Sequence, residues 1–480
     1  MKRLRSIKLD SHYKGGTVKQ KVNKIVLHVV VGTTVMCSTF IALAAGGSSS
    51  LPTEPTPYLS DADLPPRTAP ILELGGDFLG TGNIEPGFQI PTGAVWQPRF
   101  WVYGNFRSGI QRNDLGSSKD SAEWANRLDL FGNLQLTGTE RLLIGITPLH
   151  DDSEFSGRII SPDSEEGTVD ELNLNISTLF FEGDIAEIFP MWDVNDFTPN
   201  DIGFSVGRQN VQFQSGMVMN DTIDTFGISK NNIRIPGFAR LVNARATFLY
   251  GWNGIHRDDN NDDDGADLYG MFLQADTFHR TMNLDVVYID SDRNGDVVVA
   301  ALDSIQTIGK MSATFRVAAS HATGHETRNA GDGQLLFASF AWVPHYSHDN
   351  VYLAGFAAFD DYVSAARDPL VGGAMGDTGI LFAGRGLGRY PAALNNRTSN
   401  AYGVALGRQF FFSNDRRQVI LEAGARHDED GILNDSYGVG VRIQQAFGWR
   451  TIFQVDGFVV DRTDSGNPRT GVRFEVQVKL

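Results

Sequence analysis

Carboxylate and amide oxygens are concentrated in one short acidic run, where they could bind a hard cation. Asp258, Asn260, Asp262 and Asp264 offer an oxygen ligand at every second residue. Calcium prefers ligands of this kind, although the bidentate glutamate that closes a calcium loop is missing. The run indicates a weak calcium site or a solvated acidic loop. A second acidic run, residues 290–296, contains Asn-Gly between apolar segments and is better explained as a hairpin turn.

The sequence contains no motif that indicates catalysis. Its ten histidines are scattered, with no His-Glu-x-x-His pair, and it has no Gly-x-Ser-x-Gly motif or phosphate-binding loop. Solvated surface histidines explain this distribution. We predict that the protein is not an enzyme and uses no cofactor apart from the candidate calcium. A barrel enzyme whose Ser, His and Asp come from distant strands is the alternative.

Arginine recurs inside the most apolar segments. Arg316, for example, lies between Phe315 and Val317. Side chains alternate between the two faces of a strand, and an arginine facing mid-bilayer lipid would cost about 2–4 kcal/mol. These arginines are therefore expected to face a wet lumen. The proposed set is Arg107, Arg127, Arg245, Arg316, Arg442, Arg450 and Arg473. Its acidic partners are Asp129, Glu422, Asp456 and Glu475.

Alternating strands are the elements that would position these side chains. In the final stretch, residues 472–480, every second residue is Val, Phe or Leu, and the residues between them are polar. We count about 18 such segments between residues 95 and 480, an even number, as bacterial barrels require. The first is expected at residues 95–111, the third at 141–148 and the fourth at 170–182. No stretch after residue 45 reaches the roughly 20 apolar residues of a membrane-spanning helix.

The connections between the segments alternate in length. Short turns such as residues 138–140 and 309–311 alternate with longer connections at residues 151–170, 258–267 and 361–398. Short periplasmic turns and long extracellular loops are typical of outer-membrane barrels. The predicted fold is all-β, a transmembrane antiparallel β-barrel with long acidic extracellular loops. A soluble β-sandwich or β-helix of a secreted protein is the alternative.

The first 94 residues differ in composition from the rest. A basic leader and an apolar run ending in small residues predict a signal peptide at residues 1–45, with a retained membrane anchor as the alternative. The only cysteine, Cys37, lies there, so the mature chain would have no disulfide. Removing eight basic residues and one acidic residue takes the net charge from −16 to −23, too acidic for a nucleic-acid binder. Prolines predict a poorly ordered periplasmic linker at residues 46–94.

One motif resembles a known family, the alginate-export family of bacterial outer-membrane barrels. The motif residues are Gly207, Arg208, Gln209 and Asp224, and Gly407, Arg408 and Gln409 repeat the tripeptide. The resemblance implies an 18-stranded barrel that passes an anionic polysaccharide through an arginine-rich lumen. The two arginines share strand parity with Val206 and Leu406. Either a bulge resets the strand there or these arginines lie near the periplasmic rim.

These observations predict a porin or export channel in the outer membrane of a Gram-negative bacterium. It would pass an anionic, alginate-like polysaccharide or other anionic solutes through its arginine-lined lumen. The expected partners are outer-membrane lipid, the transported solute and the outer-membrane assembly machinery. Alternatives are a general or neutral-carbohydrate porin, a barrel enzyme, and a structural or binding barrel.

Overall fold

The structure is a computed structural model that describes residues 68–78, 86–116, 120–162, 164–192, 201–234, 237, 240–384, 386–429, 435–463 and 467–480. Within them, 18 strands form one closed antiparallel sheet. Each strand pairs with the next along the chain, and the last pairs with the first, with Thr470 opposite Asp114 and Lys479 opposite Asn105. The predicted β-barrel is therefore confirmed. The predicted signal peptide lies outside the described residues.

Most strands are longer than the five or six residues usual in soluble sheets, as expected for tilted strands that cross a bilayer. The first six are β1 (Arg99–Asp114), β2 (Ser121–Gln135), β3 (Arg141–Ile146 and Gly157–Ser161), β4 (Gly167–Val169 and Ile176–Asp184), β5 (Ile202–Phe213) and β6 (Met219–Lys230). The next six are β7 (Leu241–Asn253), β8 (Asp267–Thr277), β9 (Arg280–Asp290), β10 (Val297–Ile308), β11 (Met311–Ala322) and β12 (Gly333–Trp342). The last six are β13 (Asn350–Asp361), β14 (Ser399–Phe412), β15 (Arg417–Asp428), β16 (Ser436–Phe447), β17 (Thr451–Arg462) and β18 (Arg469–Lys479).

The predicted boundaries differ most in β1, β3 and β4. The expected first strand began at Val95, but Val95–Trp96 pairs separately with Phe88–Gln89. Strand β3 is interrupted by a small hairpin of His150–Asp151 with Glu154–Phe155, and it then resumes along β2. The connection predicted at residues 151–170 is therefore partly strand, because an insertion within one strand cannot be recognised from alternation alone.

The outer face of the sheet is apolar. Leu421 and Phe474 are 50% and 57% exposed, which suits contact with lipid better than contact with water. Tyr250, Tyr269 and Tyr288 stand side by side on β7, β8 and β9, with ring centroids 5.2 and 6.3 Å apart. Tyrosines in such a row are typical of the belt where a barrel meets the membrane surface.

The N-terminal segment is not wholly a linker. Leu72–Leu74 forms a strand that pairs with Phe100–Val102 of β1, so the expectation of a poorly ordered linker fails there. The strand itself contains no proline, and Pro70 precedes it. Between β4 and β5 the chain forms a one-turn helix at Ile185–Ile188 and a 3-10 turn at Pro190–Trp192. Among the described residues, no helix is long and apolar enough to cross a membrane.

The connection between β13 and β14, residues 362–398, folds into the barrel, and we call it the inner loop. Its segment Ala366–Arg367 pairs in parallel with Met219 and Asn220 of β6. The turn between β5 and β6, which contains a 3-10 turn at Gln214–Gly216, bends inward to meet it, and Tyr362 Oη donates to the carbonyl of Met217 (2.9 Å). The inner loop itself contains a 3-10 turn at Ala374–Thr378. The loop therefore narrows the lumen.

Part of the space between the inner loop and the wall is filled by apolar side chains. Fully buried examples are Met217, Ile223, Leu335, Met375, Phe382 and Leu394. The sequence predicted an acidic extracellular loop here, and that prediction is wrong. Residues 361–398 contain three aspartates, no glutamate and four arginines, together with seven glycines and many apolar residues. Such a composition favours burial over solvation.

Arg257 joins three extracellular connections. Its side chain is fully buried and pairs with Asp263 in its own loop (3.0 Å). It also donates to the carbonyls of Gly295, between β9 and β10, and Asn329, between β11 and β12, both at 3.0 Å. A buried guanidinium needs several acceptors to offset its lost hydration, and these three loops supply them together.

The alternation of faces predicts losses of stability of different size for two adjacent substitutions in β16. Ile443 faces outward and is 39% exposed, whereas Gln444 faces inward and donates to Gln454 Oε1 (2.5 Å). Ile443→Arg should lower the free energy of unfolding by about 2–4 kcal/mol, because a charge would face lipid. Gln444→Arg should cost much less. Urea unfolding in lipid vesicles measures both, and equal losses would contradict the assignment of faces.

Candidate functional site

Five of the predicted lumen arginines lie on the inner face of the wall, and all five pair with carboxylates. The pairs are Arg107 with Glu475 (2.6 Å), Arg127 with Asp129 (2.9 Å), Arg316 with Asp303 (3.1 Å), Arg442 with Asp456 (2.6 Å) and Arg473 with Asp456 (2.7 Å). The carboxylates come from the same strand or an adjacent one. Their negative charge cancels most of the field that these arginines would exert on a passing solute.

Asp456 of β17 is shared by two arginines. Its Oδ1 accepts from Nε of Arg442 on β16, and its Oδ2 accepts from Nη2 of Arg473 on β18. Gln454 Nε2 also donates to Oδ2 (2.7 Å). Breaking a buried pair typically costs about 3–5 kcal/mol, because a charge is left without a partner. This group of three charges thus ties three strands together.

Several of these arginines also contact the inner loop. Arg107 Nη1 donates to the carbonyl of Gly386 (2.9 Å), and Arg127 Nη1 points at the same oxygen (3.5 Å). The guanidinium of Arg473 lies 4.8 Å from the ring centroid of Tyr390, within the range of a cation–π contact. The arginines therefore lie between the wall and the loop and hold the loop in place.

Glu422 has the same supporting role. Its carboxylate accepts from the backbone N–H groups of Ile380 and Leu381, both at 2.8 Å, and from the hydroxyl of Tyr352. A Cβ at Gly379 would lie 2.4 Å from Glu422 Oε2, so a side chain there would displace the carboxylate. Glu422 was predicted to balance lumen arginines, but it anchors the backbone of the inner loop instead.

The remaining two predicted lumen arginines occupy different places. Arg245 lines a cavity of about 280 Å³ in the periplasmic half of the barrel, and its Nε donates to Asn231 Oδ1 (2.7 Å). Arg450 lies in the turn between β16 and β17 and donates to the carbonyl of Ala69 (2.7 Å). Arg450 was predicted to line the lumen, and the structure instead places it against the N-terminal segment.

The family motif does not converge on the lumen. Arg208 and Asp224 are opposite each other on β5 and β6, 3.9 Å apart, on the outer face that Val206 shares. The register between β5 and β6 is continuous, so no bulge resets the strand, and Arg208 lies in mid-strand. Only Gln209 turns inward, where its Nε2 donates to Ser205 Oγ and Thr225 Oγ1. Neither explanation offered for Arg208 is correct.

Two further motif residues, Gly207 and Arg408, have local roles. A Cβ at Gly207, whose φ is +122°, would lie 2.2 Å from the carbonyl oxygen of Leu179, so the position favours glycine. Arg408 lies near the periplasmic end of β14 and pairs with Asp349 in the adjacent periplasmic turn (2.7 Å). The expectation of a periplasmic rim therefore describes Arg408.

The acidic run does not form a calcium site. Asp258 Oδ1 accepts from the backbone of Ser364 (2.9 Å), and Asn260 Nδ2 donates to the carbonyls of Asp368 and Gly372. The other two candidates, Asp262 and Asp264, interact with each other. The described residues contain no group of three or more acidic, His or Cys side chains arranged to hold a metal. The run fixes the inner loop instead, which a ligand pattern in sequence cannot reveal.

An arginine-rich cavity that the sequence analysis missed lies at the extracellular side. This cavity, which we call the vestibule, has a volume of about 490 Å³. Its charged lining residues are Arg397, Arg426, Arg462, Arg469, Asp259 and Asp428. Among the described residues that line it, four cations face two anions, so this part of the lining is positively charged. The available signal was weak: Arg462 and Arg469 flank the last extracellular connection, and only the folded inner loop brings Arg397 beside them.

Two of the vestibule arginines are already neutralised. Arg426 forms a two-bond pair with Asp428 (2.7 and 2.8 Å) and donates to the carbonyls of Asn395 and Arg397. Arg397 donates to the carbonyl of Asp258 (3.0 Å) and lies 3.9 Å from its carboxylate. Both fix the inner loop to its surroundings. Arg469 differs from them, because no carboxylate of the described residues pairs with it.

Comparisons with known proteins identify the fold. No protein-family model matches the sequence, and no curated protein matches it. Among solved structures, a BenF-like porin from Pseudomonas fluorescens Pf-5 has a TM-score of 0.54 at 10% identity and covers 79% of this chain and 98% of its own. OccK2 (OpdF) of Pseudomonas aeruginosa has a TM-score of 0.53 at 10% identity and covers 79% of this chain and 97% of its own.

A third match is the outer membrane protein opdK from Pseudomonas aeruginosa, with a TM-score of 0.51 at 12% identity, covering 79% of this chain and 98% of its own. At such identities the likeness establishes the fold alone. The chain has the closed 18-stranded β-barrel seen in these outer-membrane porins. Its apolar outer face is suited to contact with lipid.

Glu422→Gln should loosen the inner loop. A neutral amide offers one acceptor oxygen in place of two, so one backbone N–H of Ile380 or Leu381 would lose its partner. Hydrogen bonds to charged groups contribute about 1.5–3 kcal/mol, and amide exchange at these two positions should accelerate accordingly. Glu182→Gln, which affects an ion pair with Arg141 outside the loop, is the control. Unchanged exchange in Glu422→Gln would contradict the anchoring role.

The attachment of the inner loop should also depend on pH through His256. His256 Nδ1 lies 2.9 Å from Asp221 Oδ1, and its carbonyl accepts from the backbone of Arg367 (2.8 Å). Burial alone would lower the pKa of His256, but the hydrogen bond and charge of Asp221 raise it above its ordinary value. Asp368 of the inner loop and Asp262 of its own loop add to this effect.

Because its pKa is raised, protonated His256 stabilises the attachment of the inner loop. This contribution is lost as the pH rises through the raised pKa. Exchange of the Arg367 amide should therefore accelerate above about pH 6.5, the ordinary pKa of histidine. In His256→Gln, which keeps a polar side chain without this titration, the rise should disappear once intrinsic exchange is subtracted. A pH dependence that persists in the variant would exclude His256 as its cause.

Proposed function

We propose that the protein is a passive outer-membrane diffusion channel with a preference for small anionic solutes. The observation that carries this proposal is the positively charged vestibule at the extracellular mouth of a closed barrel with an apolar outer face. Arginine pairs with carboxylates through two parallel hydrogen bonds, and an excess of cations attracts anions from a distance. Charged groups that line a mouth in this way control which ions enter a pore.

Small solutes fit this interior better than a polymer does. The inner loop lies across the lumen. The cavity next to the vestibule measures only about 240 Å³, and the cavity beyond it about 280 Å³. An anionic polysaccharide such as alginate would need an uninterrupted passage, so the loop would have to leave the lumen for it to pass. One structurally similar protein, OpdK of Pseudomonas aeruginosa, has been crystallised with vanillate, a small aromatic carboxylate.

The channel should distinguish a carboxylate from a neutral molecule of the same shape. Vanillate and vanillyl alcohol share one ring, and only vanillate carries a negative charge. In planar bilayers under a salt gradient, the reversal potential should indicate anion preference. Proteoliposomes should take up vanillate faster than vanillyl alcohol. Raising the salt concentration should reduce the difference, because screening weakens the attraction.

Other outcomes would identify other proteins. Equal uptake of the two molecules with no ion preference would indicate a general or neutral-carbohydrate porin. Absence of conductance from correctly folded protein would exclude a channel and favour a binding or structural barrel. Uptake of alginate fragments at a rate that does not depend on their length would show that the inner loop does not limit passage, and would favour a polysaccharide channel.

A further inference from the structure

Three polar cavities follow one another down one side of the barrel. The vestibule shares Gly373 and Gly384 with a second cavity of about 240 Å³. That second cavity shares Gln212 with the cavity of about 280 Å³ that Arg245 lines. Cavities with common wall residues adjoin each other. Together they extend from the extracellular mouth, past the inner loop, into the periplasmic half of the barrel.

The cavity on the opposite side of the inner loop is small. There the cavity between Tyr390 and the wall arginines Arg442 and Arg473 measures only about 30 Å³, roughly the volume of one water molecule. Those arginines pair with Asp456, and Arg473 packs on Tyr390. A solute that passed through this cavity would have to displace the loop and break these contacts.

We infer that solutes pass the inner loop on the side of β5 to β9, through the neck at Gly373 and Gly384, and that Arg469 captures the anion before the neck. This inference rests on the proposed channel function. It assigns selectivity to a residue at the extracellular end of β18, and it leaves the arginines of the opposite wall with a structural role.

Arg469 is suited to capture because its charge is uncommitted. It lines the vestibule, and no carboxylate or carbonyl of the described residues accepts a hydrogen bond from its side chain. Arg462 is close enough for its positive charge to repel that of Arg469. A carboxylate beside Arg469 would relieve this repulsion and could accept hydrogen bonds from its guanidinium. Ser436, Asn395 and Asn396 line the same cavity and could hydrogen-bond the remainder of a polar solute.

The neck at Gly373 and Gly384 is lined by backbone atoms. A Cβ at Gly384 would lie 2.3 Å from the carbonyl oxygen of Val371, and a Cβ at Gly373 would lie 2.3 Å from that of Asn396. Next to it is Arg367, whose buried guanidinium donates to the carbonyls of Gly216, Gly372 and Gly373 and pairs with no carboxylate of the described residues. An anion that leaves Arg469 therefore approaches a second positive charge.

The capture site is tested by Arg469→Gln. Vanillate added on the extracellular side of a bilayer should block the wild-type current, and the half-blocking concentration should rise about ten-fold in the variant, as for the loss of a charge-assisted hydrogen bond. Arg112→Gln is the control. Arg112 is an exposed arginine near the extracellular end of β1, paired with Asp120 and outside the vestibule, so its loss should leave the block unchanged.

The route is tested by chemical modification, because the chain contains no cysteine after Cys37. Ser215 and Asp377 line the second cavity. Gln477 lies on the other wall, where it faces the lumen and is the cross-strand neighbour of Arg107. A bulky thiol reagent should reduce the current about two-fold or more in Ser215→Cys and in Asp377→Cys. It should have little effect in Gln477→Cys. Two variants in one cavity guard against a folding defect in either.

The outcomes of these experiments distinguish this inference from the proposed channel function. If the wild type prefers anions and is blocked by vanillate, but Arg469→Gln responds identically, the capture site is wrong and the channel proposal stands. If modification acts only in Gln477→Cys, the route follows the opposite wall. If the wild type does not conduct or shows no anion preference, the proposed function fails and this inference fails with it.

Discussion

Hydrogen bonding of the backbone is the constraint on which the rest of this structure depends. In lipid no water is available for an unpaired N–H or carbonyl, so a sheet that crosses a membrane must close on itself. Here β18 closes on β1 over ten paired residues from each strand. The part of β1 beyond the end of β18 is covered by the strand Leu72–Leu74. Closure also gives every strand an inner and an outer face, and so dictates the alternation seen in the sequence.

A closed barrel of this size creates a second problem, because its lumen is too wide to be filled by wall side chains alone. The inner loop addresses it, but its own backbone then needs partners inside the barrel. The wall provides charged groups for this purpose: Glu422 accepts two backbone N–H groups and Arg107 donates to a carbonyl. Each of these charges is paired or bonded, which limits the cost of burying it. Charge in the wall therefore supports structure, and the excess charge lies in the vestibule.

The strands could be predicted from sequence because alternation is local. Residues 472–480 show their two faces without reference to any other part of the chain. Strand parity also placed Arg107, Arg127, Arg316, Arg442 and Arg473 on the inner face, where the structure has them. Strand parity does not show, however, how far along the barrel an inward side chain lies or which group it contacts. Whether an inward arginine meets solute, a carboxylate or a loop depends on residues hundreds of positions away.

The inner loop could not be predicted for the same reason. Its length resembled that of an extracellular loop, and its contacts are with distant strands: Arg107 and Gly386 are 279 residues apart. The acidic run around Asp258 was misread because its side chains bind that loop and not a metal. Arg208 was misplaced because a tripeptide carries no information about which face it occupies. In each case the missing information was tertiary, whereas the pattern used was local.

The contacts of Arg257 limit how the extracellular loops of this protein can change in length during evolution. Surface loops of barrels usually accept insertions and deletions one at a time, since each is anchored only by its own strands. Here one guanidinium takes acceptors from three separate loops. A change of length in any of them would remove an acceptor and leave a buried charge underbonded. These three loops are therefore expected to diversify together, as one inherited unit.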